Sequence, residues 1–168
     1  PDEAFLTTGR PVFNPDKLLS RLSETEELKQ RLALEGDEWL DNARGELSIY
    51  RPHVDGEQYV IGADVSMGVR GGDYSCAQIL DSKKRQVAVW RSHVHPDYFA
   101  TVLYALGEYY NEALIIVENN SHGILTCTRL GKDMAYPNFY TEVQVDKLTD
   151  RETVKLGFTT TSKTKPLI

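Results

Sequence analysis

The stretch Tyr59-Val60-Ile61-Gly62-Ala63-Asp64-Val65 limits the folds open to this chain more than any other. It is rich in β-branched and aromatic residues, belongs inside a sheet, and closes on a carboxylate. An unpaired buried carboxylate is costly. Asp64 is therefore either hydrogen-bonded by the glycine turn that follows, Ser66-Met67-Gly68-Val69-Arg70-Gly71-Gly72, or the holder of a cation. Asp73-Tyr74-Ser75 opens the next extended segment, and Tyr74 to Leu80 and Gln86 to Arg91 read as two further strands joined by the polar loop Asp81 to Arg85. Three consecutive strands on short loops make an antiparallel meander.

The pattern then changes period. Pro96 suits the first residue of a helix, and Phe99, Val102, Leu103, Leu106 and Tyr110 fall on one helical face. Leu114-Ile115-Ile116-Val117 is wholly apolar, as in a strand covered on both sides. A helix between two strands implies a crossover that lays the second parallel to an earlier one. The expected fold is thus α/β, a mixed sheet of an antiparallel meander plus parallel strands, flanked by helices. Ligand sites in such sheets lie outside the carboxyl ends of parallel strands. If Tyr59–Val65 and Leu114–Val117 are parallel neighbours, Asp64 and Glu118 project from one edge and come within reach of one cation. A Glu118 that merely caps the following helix is the alternative, although Ser121 is the better capping residue type.

The first third reads less clearly. Asn14 or Asp16 caps a brief helix carrying Leu18, Leu19 and Leu22, and Glu24 to Leu40 is charge-dense with loosely helical spacing of Leu28, Leu32 and Trp39. Gly45 to Tyr50 looks like an edge strand stopped by Pro52. Residues 1–56 are expected to be a connector packed on a domain that occupies residues 57–168. A length of 168 residues with 40% apolar content suits one domain with its own core. No apolar run approaches the roughly 20 residues needed to cross a bilayer. Cys76 and Cys127 lack metal-type spacing and read as reduced core residues of a cytosolic protein.

The net charge of −6 is unevenly spread, with 12 acidic and 7 basic residues through Gly56 but 13 and 12 from Glu57 onward. The later part therefore repels an acidic partner little, and a cation held by its carboxylates would reverse the local sign. Lys147, Arg151, Lys155, Lys163 and Lys165 form the best candidate stretch for phosphate contact. His93 and His95 alternate near a strand end, and His122 stands close to Glu118 in sequence. Gly131-Lys132 is no phosphate loop, because the glycine spacing is wrong and Asp133 replaces Ser or Thr.

Tyr59 to Val65 with Gly71-Gly72-Asp73-Tyr74-Ser75 resembles the first nuclease motif of the large terminase subunit of tailed bacteriophages, and Val117-Glu118-Asn119-Asn120 with Gly123 is similar to the second. Glu3-Ala4-Phe5 with Gly9-Arg10-Pro11-Val12-Phe13 resembles the junction between that family's ATPase and nuclease domains. Gly157-Phe158-Thr159-Thr160 with Thr164-Lys165-Pro166 looks like the segment before its last nuclease helices. The resemblance implies a ribonuclease-H-like fold and a two-metal endonuclease that cuts concatemeric viral DNA in the cytoplasm of a bacterial host. It implies Mg²⁺ or Mn²⁺ as cofactor, double-stranded DNA, the portal protein and the small terminase subunit as partners, and no membrane. Carried over by position, Asp64 bridges both ions, Glu118 holds one, and Asp73 is a nearby acid acting through water or a plain turn residue. Lys155, Lys163 and Lys165 are then the weaker DNA-binding candidates. The family's third acid has no counterpart before Ile168, so the expectation is a chain cut short of that ligand, weak in metal binding and short of what cutting requires. A junction-resolvase or transposase nuclease would share the carboxylates without the Glu3-Ala4-Phe5 junction. A non-catalytic docking module of the packaging machine is the reading from a different class.

Overall fold

Alternation along the strands sorts the chain's apolar residues onto one face of a seven-stranded sheet. The computed structural model describes residues 14–145 and 152–161. The sheet runs in the order β2-β1-β3-β6-β5-β4-β7, from β1 (Gln30–Glu35), β2 (Glu38–Asp41), β3 (Leu47–Ile49), β4 (Tyr59–Asp64), β5 (Ser75–Asp81), β6 (Gln86–Ser92) and β7 (Leu114–Val117). The expected meander is present, with β4 antiparallel to β5 and β5 antiparallel to β6. The expected parallel partner is present too, since β7 lies beside β4 with Ile61 opposite Ile115 and Ala63 opposite Val117.

Helix α2 (Pro96–Tyr109) makes the crossover and covers the inner face. The helix has Pro96 in its first turn, and the His95 side chain accepts from the Asp97 N–H at 3.3 Å. Phe99, Val102, Leu103 and Leu106 are buried against Ile61, Ile79, Ala88 and Trp90, with Phe99 stacked on Trp90 at 5.2 Å. Each such side chain contributes about 1.5–3 kcal/mol of transfer free energy. The helix ends at Tyr109, two residues before Asn111, whose φ of 57° turns the chain toward β7. Beyond β7 come a short helix α3 (Gly123–Thr128), a π-helical turn (Arg129–Asp133) and a ribbon of β8 (Thr141–Val145) with β9 (Glu152–Leu156).

The opening third differs from its sequence reading. Asn14 does cap helix α1 (Pro15–Ser23), accepting from the Lys17 N–H at 3.1 Å, and that helix buries none of its residues. The loosely helical stretch Glu24 to Leu40 is mostly the hairpin β1–β2, turned at Gly36 with φ 64°. Tertiary burial wins over weak helical spacing here: Leu32 inserts into the core opposite Leu47, and the Trp39 indole N–H donates to the Ala105 carbonyl on α2 at 3.2 Å. β3 is no edge strand; it is buried along its whole length between β1 and β6, and β2 is the edge. Residues 30–49, read from sequence as part of a connector, thus supply three strands of the sheet itself. Both cysteines are free thiols, and burial pushes that of Cys127 up to about 12.

Candidate functional site

Period-two alternation places Asp64 on the face away from α2. Tyr59, Ile61 and Ala63 point into the core, so Val60, Gly62 and Asp64 point out. The parallel register then carries Glu118 to the same sheet end, where its N–H donates to the Ala63 carbonyl at 3.0 Å. The two acids, 54 residues apart in sequence, finish as neighbours whose charges act on one another. Burial, the Glu118 charge and the Asp73 charge all push the Asp64 carboxyl above its ordinary value, against a Val65 N–H that pulls it down. Among the described residues no Lys or Arg forms a salt bridge with Asp64, Glu118 or Asp73. Oxygen donors assembled without a protein cation suit a hard divalent ion. No cluster of three or more His, Cys, Asp or Glu suited to metal occurs among the described residues.

Glu118 is held rather than free. Its Oε1 accepts from the Asn120 amide at 2.8 Å, and that amide also donates to the Thr160 carbonyl at 3.3 Å. Residues after β9 lie alongside: Phe158 bridges Glu118 in parallel, its N–H donates to the Val117 carbonyl at 2.8 Å, and its carbonyl accepts from the Asn119 N–H at 2.9 Å. Gly123 is needed where it stands, because a Cβ there would lie 1.8 Å from the Glu118 carbonyl oxygen. The helix α3 makes no side-chain cap to Glu118 or Ser121; its capping residue is His122, which also bonds no N–H. Gly68, with φ 72° and no room for a Cβ beside the Val94 carbonyl, bends the turn after β4 back toward the sheet.

An open cleft of about 400 Å³ unites Asp64, Asp73 and His122 with the glycine turn. Asp73 therefore sits near Asp64, as its position after the glycines suggested, and His122 joins them. His93 and His95 do not form a pair of ligands: His95 caps α2, and His93 bonds the Asp73 carbonyl at 3.2 Å while stacking on Tyr74. Lys155 stands on β9 with Glu142 as its cross-strand partner, and the Glu142 carboxylate accepts from the Thr159 N–H and hydroxyl. Lys163, Lys165, Lys147 and Arg151 lie outside the described residues. Sequence reasoning missed the Asn120 grip on Glu118 and the Tyr74–His93–Arg91 cluster; only the strand register, which aligns β5 with β6, could have exposed the second.

A mixed sheet of a meander plus a βαβ crossover, with acids after adjacent parallel strands, has the ribonuclease-H-like fold. The structure is similar to the large terminase nuclease of thermophilic phage G20c solved with bound cobalt, at TM-score 0.55 and 20% identity over 75% of this chain and 57% of that one. It is similar also to the zinc-bound form, at TM-score 0.52 and 21% identity over 74% and 64% of the two chains. The magnesium-bound form matches at TM-score 0.50 and 23% identity over 59% and 51%. The chain thus spans between about half and two thirds of the nuclease chains it matches. Neither a protein-family model nor a curated protein matches the sequence. No helix among the described residues is long and apolar enough to cross a membrane.

Proposed function

We propose that this chain is the nuclease part of a phage DNA-packaging terminase, a metal-dependent endonuclease that hydrolyses phosphodiester bonds of concatemeric double-stranded DNA. The observation that carries the reading is the convergence of Asp64 and Glu118 at one sheet end, where among the described residues no Lys or Arg forms a salt bridge with them. On this reading Asp64 and Glu118 hold the ions, Mg²⁺ or Mn²⁺ by the hardness of their oxygens. Bound there, two divalent ions supply Lewis acidity to the attacking water and to the leaving oxygen of the phosphodiester.

The chain's own residues have separate tasks. Asn120 fixes the rotation of the Glu118 carboxylate through its 2.8 Å hydrogen bond, the kind of outer support that tunes a ligand. Asp73 faces the same cleft and accepts a proton or orients water there. Asp64 and Glu118 are two members of the ligand set, and a further acid completes it. Lys155, Lys163 and Lys165 supply backbone contacts, and the portal protein and small terminase subunit are the packaging partners. A connector to an upstream motor, on the same reading, precedes Gln30, because β1 to β3 belong to the nuclease's sheet.

Nicking of supercoiled plasmid in Mn²⁺, by a longer form of the chain that carries the completing acid and by its Asp64→Ala variant, tests the proposal. The unaltered chain nicks and the variant does not. Equal rates would remove the catalytic role, leaving a docking module with a nuclease fold.

A further inference from the structure

Strand register puts a basic residue on the same sheet face as the carboxylates. Asp64 pairs with Cys76 across β4 and β5, and Cys76 pairs with Arg91 across β5 and β6. Directly paired residues share a face, so Asp64, Cys76 and Arg91 form a row on the side away from α2. At about 4.8 Å per strand the row spans about 10 Å from Asp64 to Arg91. Along a DNA duplex that is about three nucleotides at about 3.4 Å each.

Arg91 is exposed but not loose. Its guanidinium carbon lies 3.7 Å from the centroid of the Tyr74 ring, and the His93 ring stacks on Tyr74 with its centroid also at 3.7 Å. Two planar groups that close to one centroid cannot share a face, so Tyr74 is clamped between them. His93 is anchored in turn at the Asp73 carbonyl, and Tyr74 lines the cleft that contains Asp64 and Asp73. Among the described residues Arg91 has no carboxylate partner. A guanidinium held by an aromatic face keeps its N–H donors free at the ring's edge and has already given up its rotamer freedom.

We infer that Arg91, braced by Tyr74 and His93, grips a backbone phosphate about 10 Å across the sheet from Asp64 and sets the position of the strand presented to the carboxylates. The inference rests on the proposed nuclease reading. Arg91 is a positioning residue: the row sets its Cα about 10 Å from that of Asp64, and its guanidinium forms no salt bridge with Asp64. Tyr74 has both ring faces covered, so the cluster offers charge and hydrogen bonds rather than a surface for base stacking, and its grip is independent of sequence.

The test is binding of a fluorescein-labelled 30-base-pair duplex by the chain in Ca²⁺, followed by anisotropy over a series of salt concentrations. Arg91→Ala is expected to weaken binding about tenfold and to lower the slope of log affinity against log salt by about one. Tyr74→Leu keeps the charge, so it retains the slope while weakening binding less. Lys83→Ala, on the β5–β6 turn at the far end of the same strands, leaves both unchanged. Circular dichroism establishes that each variant is folded. An unaltered slope and affinity in folded Arg91→Ala would overturn the inference while Asp64→Asn still abolished nicking. If instead Asp64→Asn nicked like the parent, the nuclease reading itself would fall, and the inference with it.

Discussion

Two aspartates near opposite ends of the β4–β5 pair have been given opposite surroundings. Asp81, opposite Tyr59, is buried, and its carboxylate accepts from the Lys83 and Arg85 N–H groups at 2.9 Å each and from the Arg85 guanidinium at 2.6 Å. Burial pushes its carboxyl up, but the Arg85 N–H, the guanidinium and the Lys83 N–H outweigh it and hold the group below the usual range. Asp64, opposite Cys76, has two other acids for company and is raised. A carboxylate that serves the fold is given donors, while one available to a ligand is left short of them. On the proposed reading, a bound cation supplies the balancing charge that Asp64 lacks within the described residues.

The largest expected effect separates the two by activity. Asp64→Asn should lower Mn²⁺-dependent nicking by more than about 100-fold, since losing even a ligand's hydrogen-bond partner costs about 10–100-fold. Its melting temperature should stay level or rise, because a like-charge repulsion is removed; a fall would break the contrast. Asp81→Asn should do the reverse, losing about 2–3 kcal/mol in urea unfolding as buried donors go unpaired, with nicking per folded molecule unchanged. Next comes Gly123→Ala, whose methyl collides with the Glu118 carbonyl. It should weaken Mn²⁺ binding by about tenfold, measured by electron paramagnetic resonance, if the position of Glu118 matters to the ion.

The smallest effect is in the pH dependence. Asp81 is lowered on folding, so its stabilisation is complete above the ordinary Asp value of about 3.9 and is lost as pH falls through the depressed one. The deficit of Asp81→Asn in urea should therefore shrink in acid. Asp64 is raised, so the native state keeps its proton longer than the unfolded chain does. Its contribution is most favourable below about 3.9 and declines as pH rises through the raised value. Any stability gained by Asp64→Asn should accordingly appear near neutrality and vanish in acid. Parallel pH profiles for the two variants would erase the distinction.

Legibility followed range. The meander, α2 and β7 were readable because each rests on a local pattern: alternation, a helical face begun by a proline, a four-residue apolar run. The pairing of Asp64 with Glu118 was readable at one remove, from the rule that a crossover makes parallel neighbours. The hairpin β1–β2 was not, because Leu32 and Trp39 are spaced as well for a helix as for strands, and only Leu47 and α2 decide between them. Nor was the burial of β3, since three residues carry no period of their own.

What the sequence determined alone is the succession β4, β5, β6, α2, β7 and the presence of an acid after each of two apolar runs, because backbone preference and side-chain alternation act between near neighbours. Which acids meet, which lysine or arginine stays unpaired, and which stretch of the first third joins the sheet were decided by tertiary structure. Those outcomes depend on register between distant strands, and a shift of one residue in β4 would have turned Asp64 into the core, on the opposite face from Arg91.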